Sequence, residues 1–158
     1  MTSVPSFAAE VPVVKYEGSS TIGLFMADAA KTYKKASIET SVLSESNGGE
    51  ICALAKTCDI GGVAREIHPL FIERGLSSVP FALDILTAIV HKENPVKALT
   101  SDQLKGIFSG TIKNWKKVGG EDRPITFYIV GKESATRDVF KMHILQDLEY
   151  GTYRKVTR

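Results

Sequence analysis

Three short polar segments, each placed where a predicted strand leads into a predicted helix, carry the chemistry available to this sequence. They are Gly18–Thr21, Ser46–Gly49 and Lys132–Thr136. Each offers small hydroxyl or amide side chains together with backbone N–H groups at the start of a helix. Such donors, with the positive end of the helix dipole, suit an oxyanion without a full counter-charge. One such segment alone is more often a helix cap, but three in one chain favour a shared anion site.

The sequence shows no recognisable catalytic constellation. Ser19–Thr21 is not framed by the glycines of a GxSxG nucleophile elbow, and it lacks the lysine of a GxxxxGK[ST] phosphate-binding loop. The histidines His68, His91 and His143 lie in different segments without partner residues at a useful spacing. We therefore expect no catalytic residue, no metal site and no cofactor, and hence a protein that is not an enzyme.

Composition narrows the class of protein. The 158 residues carry a formal net charge of +2 and 43% hydrophobic side chains, which is ordinary globular usage and predicts one domain or two small lobes. The charge balance gives no electrostatic case for nucleic acid as a partner. No apolar stretch approaches the ~18 residues that a membrane span needs.

The two cysteines, Cys52 and Cys58, do not decide in which cellular compartment the protein lies. Their spacing permits a local disulfide in an oxidising compartment, and two reduced, buried thiols are an equal alternative. The first ten residues have neither the basic nor the apolar region of a signal peptide, and a mature exported protein would look the same here as a cytosolic one.

The elements that must position the first two polar segments follow from hydrophobic periodicity. Strands are predicted at Val11–Tyr16, Ile38–Leu43 and Asp59–Ala64, and Ser46–Gly49 is predicted as a polar turn before a short helix. The β-α-β-α-β order favours a parallel sheet with covering helices. The first helix should bury one face, which carries Ile22, Phe25, Met26, Ala29 and Tyr33.

The second half of the chain continues the α/β pattern. Ile85–Val90 is nearly continuous and β-branched, as in a buried central strand. Thr100 and Gln103 form a capping box for a helix that should stop at Gly110. Ile125–Val130 is the next predicted strand, and a last helix follows Thr136 and includes Val139, Phe140 and Ile144.

Several segments together resemble a known family. They are Gly18–Thr21, Asp59–Glu66, Asn94–Val96, Leu99–Trp115 and Val118–Gly120. The most specific of them has the pattern LTxxQLxxIFSGxIxNWxxVGG, and it is identified as typical of the phosphate-binding substrate-binding proteins of ABC transporters. The resemblance covers nearly the whole chain.

This resemblance implies an α/β, periplasmic-binding-protein-like (type II) fold with two lobes and parallel-rich mixed sheets, closing on an oxyanion. Residues 1–80 would be the first lobe, and residues 81–158 an incomplete second lobe without its C-terminal part. The implied function is that of an extracytoplasmic solute-binding protein, periplasmic or extracellular, which binds phosphate or a similar tetrahedral oxyanion for ABC-type uptake. The alternative is a periplasmic sensor or interaction module that uses the same fold to signal.

The resemblance also implies a set of ligand-binding residues. They are Ser19, Ser20, Thr21, Ser46, Asn47, Arg65, Lys132, Ser134, Ala135 and Thr136. The chain departs from the family where Lys132 replaces an arginine that would bind in a bidentate way, and where the loop before Thr136 is about two residues shorter. Ala64 stands where some members have an acceptor for the proton of hydrogen phosphate.

The implied partners are the oxyanion and an ABC permease, with no nucleic acid. The chain is shorter than the family usually is, which predicts unpaired strand edges. Such edges pair readily with another chain. We therefore expect either a homodimer or larger assembly, formed through sheet edges or through domain swapping about the segment Val79–Asp84, or a chain that is only marginally stable alone.

Overall fold

The computed structural model describes residues 11–146 and 148–156. The prediction about a signal peptide concerns the first ten residues, which lie outside the described part. The chain divides into two compact units, Met1–Ser78 and Val79–Arg158. Every helix among the described residues is too short or too polar to span a lipid bilayer.

The first unit is a three-stranded parallel sheet whose strands are each followed by a helix. In chain order its elements are β1 (Val13–Gly18), α1 (Ser20–Thr32), β2 (Ser37–Ser41), α2 (Glu45–Ala55), β3 (Ile60–Gly62) and α3 (Pro69–Glu73). The central strand is β1: Val13 pairs with Ser37 of β2, and Tyr16 pairs with Ile60 of β3. The predicted β-α-β-α-β order and parallel pairing are confirmed.

Helix α1 buries only part of the face that its apolar spacing predicted, with Met26 buried and Ile22 and Ala29 half-buried. Gly23 and Met26 are buried, whereas Phe25 is 56% exposed and Tyr33 is 51% exposed. A Cβ atom at Gly23 would overlap the Val42 side chain, so the glycine allows the helix to approach its neighbours closely. The prediction was wrong for the two aromatic residues because this close approach turns the buried stripe toward Gly23.

The segment Ser46–Gly49, predicted as a polar turn, is instead the first turn of α2. The chain reverses one residue earlier, at Glu45, whose φ of 52° is left-handed. Toward its other end, Cys52 forms a disulfide with Cys58, with 5.4 Å between the two Cα atoms. Of the two states that the sequence left open for these cysteines, the structure contains the disulfide.

The second unit is organised around one well-capped helix. Its elements are α4 (Ser101–Ser109), a 3-10 turn (Trp115–Val118), β4 (Tyr128–Ile129), α5 (Ala135–Phe140), a π-helical turn (Lys141–Leu145) and β5 (Arg154–Lys155), with β4 parallel to β5. Thr100 Oγ1 accepts a hydrogen bond from the Gln103 N–H, and Gln103 Oε1 accepts one from the Thr100 N–H. The predicted capping box is confirmed, and so is the end of the helix at Gly110, which has a φ of 81°.

Aromatic rings fill the core of the second unit. Ile107 and Phe127 are buried there, and the Phe108 ring lies 4.9 Å from the Phe127 ring and 4.5 Å from the Phe140 ring, measured between centroids. Tilted ring pairs at such distances contribute about 0.5–1.5 kcal/mol beyond the area they bury. Packing of apolar side chains against α4 is therefore what holds this unit together.

The prediction of a buried central strand at Ile85–Val90 was wrong for this structure. The described residues of this segment form no strand, and the side chains of Ile85 and Ile89 are 84% and 90% exposed. A continuous apolar run becomes a buried strand only where a sheet supplies hydrogen-bonding neighbours on both sides. In the described part of the second unit the sheet is β4 with β5, two residues each, and it does not take up this segment.

Candidate anion-binding site

Glycines bring β1, β3 and α2 into backbone contact where β1 ends. A Cβ atom at Gly18, whose φ is 138°, would overlap the Gly62 carbonyl, and so would a Cβ atom at Gly49. The Ser19 N–H donates a hydrogen bond to the Gly62 carbonyl oxygen at 2.9 Å. Because no side chain intervenes at these positions, the starts of α1 and α2 are held close to the carboxyl end of the sheet.

Tyr16 fixes the turn that leads into α1. Its hydroxyl donates a hydrogen bond of 2.6 Å to the Ser19 carbonyl oxygen, and a Cβ atom at Gly62 would overlap that hydroxyl. Burial, reinforced by the negative charge of Glu45, raises the pKa of Tyr16 to about 12. The hydroxyl is therefore neutral at ordinary pH and remains a donor that holds the Ser19 carbonyl in place.

At the start of α1, two donors of the predicted anion site point at a single oxygen atom. The Ser20 N–H and the Ser20 hydroxyl both donate to Glu45 Oε2, at 3.2 and 3.3 Å. Glu45 is only 8% exposed. Thr21 lies next to Ser20 in the first helical turn and is exposed. The N-terminus of α1 thus presents a neutral hydroxyl and a backbone N–H to a carboxylate from α2.

The first turn of α2 carries the second predicted group of donors. Ser46 is buried, and its hydroxyl oxygen accepts a hydrogen bond from the Ala64 N–H at 3.1 Å. Asn47 Oδ1 accepts a hydrogen bond from Arg65 Nη2 at 2.8 Å. The structure therefore brings Ser19, Ser20, Ser46, Asn47 and Arg65 together in the first unit, with each of the last three already engaged inside the protein.

Arg65 and Glu50 form a buried bidentate ion pair. Arg65 Nη1 and Nη2 donate to the two Glu50 carboxylate oxygens at 2.7 and 2.8 Å, and the His68 N–H donates to Glu50 Oε1 at 3.0 Å. Burial raises the pKa of Glu50, but the hydrogen bonds and charge of Arg65 and the His68 N–H outweigh it and hold the pKa below its ordinary value. The guanidinium thus has a carboxylate partner in this structure.

Sequence reasoning missed both acidic residues of this site. Glu45 stands between two serines in a segment that looks like a solvated turn. Glu50 and Arg65 are 15 residues apart and on different elements. The left-handed conformation of Glu45 and the pairing of Glu50 with Arg65 are set by how α2 packs beside β1 and β3, so no local pattern signals them.

The remaining predicted residues lie in the second unit, at the start of α5. Ser134 and Ala135 are buried, whereas Lys132 and Thr136 are exposed. The Ser134 N–H donates to the Gly131 carbonyl oxygen at 3.2 Å, which closes the turn before the helix. This turn offers the exposed ammonium group of Lys132 and the hydroxyl of Thr136 on one short segment.

Arg137, which follows Thr136, is half-buried against aromatic rings. Its Nη1 atom donates to the Tyr153 hydroxyl at 3.0 Å, and its guanidinium carbon lies 4.6 Å from the centre of the Tyr150 ring. Burial raises the pKa of Tyr150 to about 12. Arg137 therefore anchors α5 to the C-terminal residues 150–153.

The donors at the start of α1 are arranged so that they can bind an anionic oxygen atom. The arrangement combines a helix N-terminus, a hydroxyl and a backbone N–H that converge on one anionic oxygen atom, which is how proteins bind carboxylates and phosphates. In the described part of the chain, no group of three or more His, Cys, Asp or Glu residues is arranged to hold a metal ion.

Comparison with known proteins places the chain in a family. A family model described as a PBP superfamily domain matches residues 4–151. The chain belongs to this family, and the α/β, periplasmic-binding-protein-like fold expected from the sequence is confirmed.

Among curated relatives, the phosphate-binding protein PstS of Borreliella burgdorferi is 27% identical over 150 residues, which cover 90% of this chain and 54% of that protein. The phosphate-binding protein PstS 2 of Streptococcus pneumoniae is 33% identical over 106 residues, which cover 64% of this chain and 35% of that protein. The chain spans about half the length of the first of these relatives and about a third of the second.

Solved structures show the same fold. A crystal structure from Clostridium perfringens, described as a phosphate ABC transporter substrate-binding protein with bound phosphate, has a TM-score of 0.84 and 33% sequence identity, covering 90% of this chain and 61% of that one. An ABC-type phosphate transport receptor from Vibrio cholerae has a TM-score of 0.74 and 26% identity, covering 92% of this chain and 63% of that one.

Proposed function

We propose that this chain is a solute-binding protein that binds phosphate, or a similar tetrahedral oxyanion, for uptake by an ABC permease. The observation that carries the proposal is the convergence of the Ser20 N–H and the Ser20 hydroxyl on one anionic oxygen atom at the start of α1. The relatives named as phosphate-binding proteins and the similar crystal structure with bound phosphate support the choice of ligand.

We propose that the chain binds its ligand without catalysing a reaction. We also propose that it acts outside the cytoplasm. The Cys52–Cys58 disulfide suits the periplasm or another oxidising compartment, because reducing compartments keep such pairs as thiols. We propose Ser19, Ser20, Thr21, Ser46, Asn47 and Arg65 as ligand-binding residues of the first unit, and Lys132, Ser134, Ala135 and Thr136 as ligand-binding residues of the second.

Isothermal titration with phosphate, sulfate, molybdate and tungstate tests the ligand. Ser20→Ala should weaken phosphate binding by about tenfold to a hundredfold, because a hydrogen bond to a charged group contributes ~1.5–3 kcal/mol. Thr136→Val tests the second group of residues in the same way. Thr32→Val is the matched control, since Thr32 lies exposed at the opposite end of α1. Equal binding by the Ser20 and Thr32 variants would contradict the assignment of the site.

We also propose that the chain self-associates through its exposed apolar segment, residues 79–90. Val79, Leu83, Ile85 and Ile89 are each more than four-fifths exposed, and exposed apolar side chains that lie this close together in the chain favour contact with another protein surface. Light scattering at micromolar concentration should show a dimer. A cooperatively melting monomer at the same concentration would refute this part of the proposal.

A further inference from the structure

Glu45 adopts a left-handed backbone conformation, which is energetically unfavourable for a residue that has a side chain. Its φ of 52° lies in the left-handed region, where a residue with a Cβ atom is strained and glycine is not. The residue is also only 8% exposed, and burial is unfavourable for a charge without compensating donors. A strained and buried acidic residue persists where the surrounding structure holds it in place, and such positions cluster at functional sites.

The compensating donors are those of the proposed oxyanion site. Glu45 Oε2 accepts the hydrogen bonds of the Ser20 N–H and the Ser20 hydroxyl, and it lies at the positive end of the α1 dipole. An oxyanion bound at the start of α1 would need these same two donors. The side chain of Glu45 therefore takes the place that a ligand oxygen would occupy.

We propose that Glu45 is a built-in competitor for the oxyanion and thereby sets the affinity of the site. This inference rests on the proposed function. An ionised oxygen atom of the ligand cannot share the two Ser20 donors with the ionised Glu45 carboxylate, because two anionic oxygen atoms at close range repel each other strongly away from bulk water. Oxyanion binding thus requires the Glu45 carboxylate to leave Ser20, and the affinity measured for the wild-type chain is the intrinsic affinity reduced by the cost of that displacement.

Two substitutions separate the charge of Glu45 from its bulk. Glu45→Gln keeps the size of the side chain and removes the charge, whereas Glu45→Gly frees both Ser20 donors and suits the left-handed conformation. Phosphate affinity should rise about tenfold in Glu45→Gln and further in Glu45→Gly, because repulsion between neighbouring anions is removed in both. The matched control is Glu39→Gln, which removes an exposed charge from β2 and should leave affinity within twofold of wild type.

The experiment is phosphate titration calorimetry of the four proteins, with the Ser20 amide resonance followed by NMR. Gain of affinity in the order wild type, Glu45→Gln, Glu45→Gly, with a phosphate-dependent shift of the Ser20 amide, supports the inference. A wild-type chain that binds phosphate while neither Glu45 variant binds more tightly overturns it and leaves the proposed function standing. If none of the four folded proteins binds phosphate, the proposed function fails, and this inference fails with it.

Discussion

The two units of this chain are stabilised by different interactions. The first unit is built on a parallel sheet of three strands, and buried carboxylates of α2 link it to its neighbours. Glu50 pairs with Arg65, which follows β3, and Glu45 accepts a hydrogen bond from Ser20 of α1. In the second, rings packed against α4 form the core, and the described strands are two residues long. Charge, pH and redox state should therefore affect the first unit far more than the second.

Loss of the Arg65 side chain should have the largest effect. Arg65→Met leaves the Glu50 carboxylate, whose side chain is 2% exposed, buried without its partner, and breaking a buried pair in this way costs about 3–5 kcal/mol. Hydrogen exchange of the β1 and β3 amides should speed up, whereas fluorescence of Trp115, the single tryptophan, should report an unchanged second unit.

The control for this variant is Lys116→Met in the second unit. It removes the exposed ion pair between Lys116 and Asp122, and exposed pairs contribute only about 0–1 kcal/mol. Equal destabilisation by the two variants would show that the buried ion pair of the first unit stabilises the protein no more than an exposed ion pair does.

Reduction of the disulfide should have the next largest effect. The bridge links two cysteines six residues apart, and closing so short a loop stabilises the folded chain by about 2 kcal/mol. Denaturant unfolding with and without a reducing agent should show this loss in the first unit. The stability of the double variant Cys52→Ser and Cys58→Ser should not change when the reducing agent is added. If the stability of the wild type does not change either, the prediction is wrong.

Acid should weaken the first unit by a smaller amount. The pKa of Glu50 lies below its ordinary value of 4.5, so the folded state favours the ionised carboxylate. Its contribution is complete above the unfolded-state pKa and is lost as the pH falls through the lower, folded-state pKa. Melting temperatures measured from pH 6 to pH 3 should fall less steeply for Glu50→Gln than for the exposed-site variant Glu39→Gln. Parallel curves for these two proteins would rule out Glu50 as the titrating group.

The smallest change in folding stability should come from the exposed apolar segment. Ile85→Thr and Ile89→Thr remove methyl groups that already contact solvent, so each should change the free energy of unfolding by less than about 0.5 kcal/mol. The same pair of substitutions should shift the light-scattering mass toward the monomer. A loss of several kcal/mol would instead show that the segment is buried in solution.

Elements whose signal is local could be predicted from the sequence in detail. The capping box of Thr100 and Gln103 and the stop at Gly110 need only residues three to ten apart, since a helix end is satisfied by its own neighbours. The β-α-β-α-β order of the first unit likewise follows from the succession of apolar runs and polar segments. Strand β1 has the predicted length but lies two residues later, and β2, β3 and β4 are shorter than predicted, because strand ends depend on the partner strand.

The position of the candidate site could be predicted from the sequence, but the hydrogen-bond partners of its residues could not. Polar residues after β1 and β2 of a parallel sheet had to lie at its carboxyl edge, and Ser19, Ser20, Ser46 and Asn47 do lie there together. That Ser20 faces Glu45 and that Arg65 faces Glu50 depends on which side chains α2 and β3 bring within hydrogen-bonding distance. No local pattern encodes that distance.

The sequence by itself determined where α4 begins and ends, the β-α-β-α-β succession of the first unit and the edge of the sheet that carries polar donors, because these depend on near neighbours and on periodicity. Only the tertiary structure decided which face of α1 is buried, that Glu45 is left-handed and turned inward, and that Ile85–Val90 lies exposed. Each of these depends on a partner distant in the chain. Val42 packs against Gly23, and the Ser20 donors bind Glu45. Ile85–Val90 would need a neighbouring strand, and the described residues do not provide one.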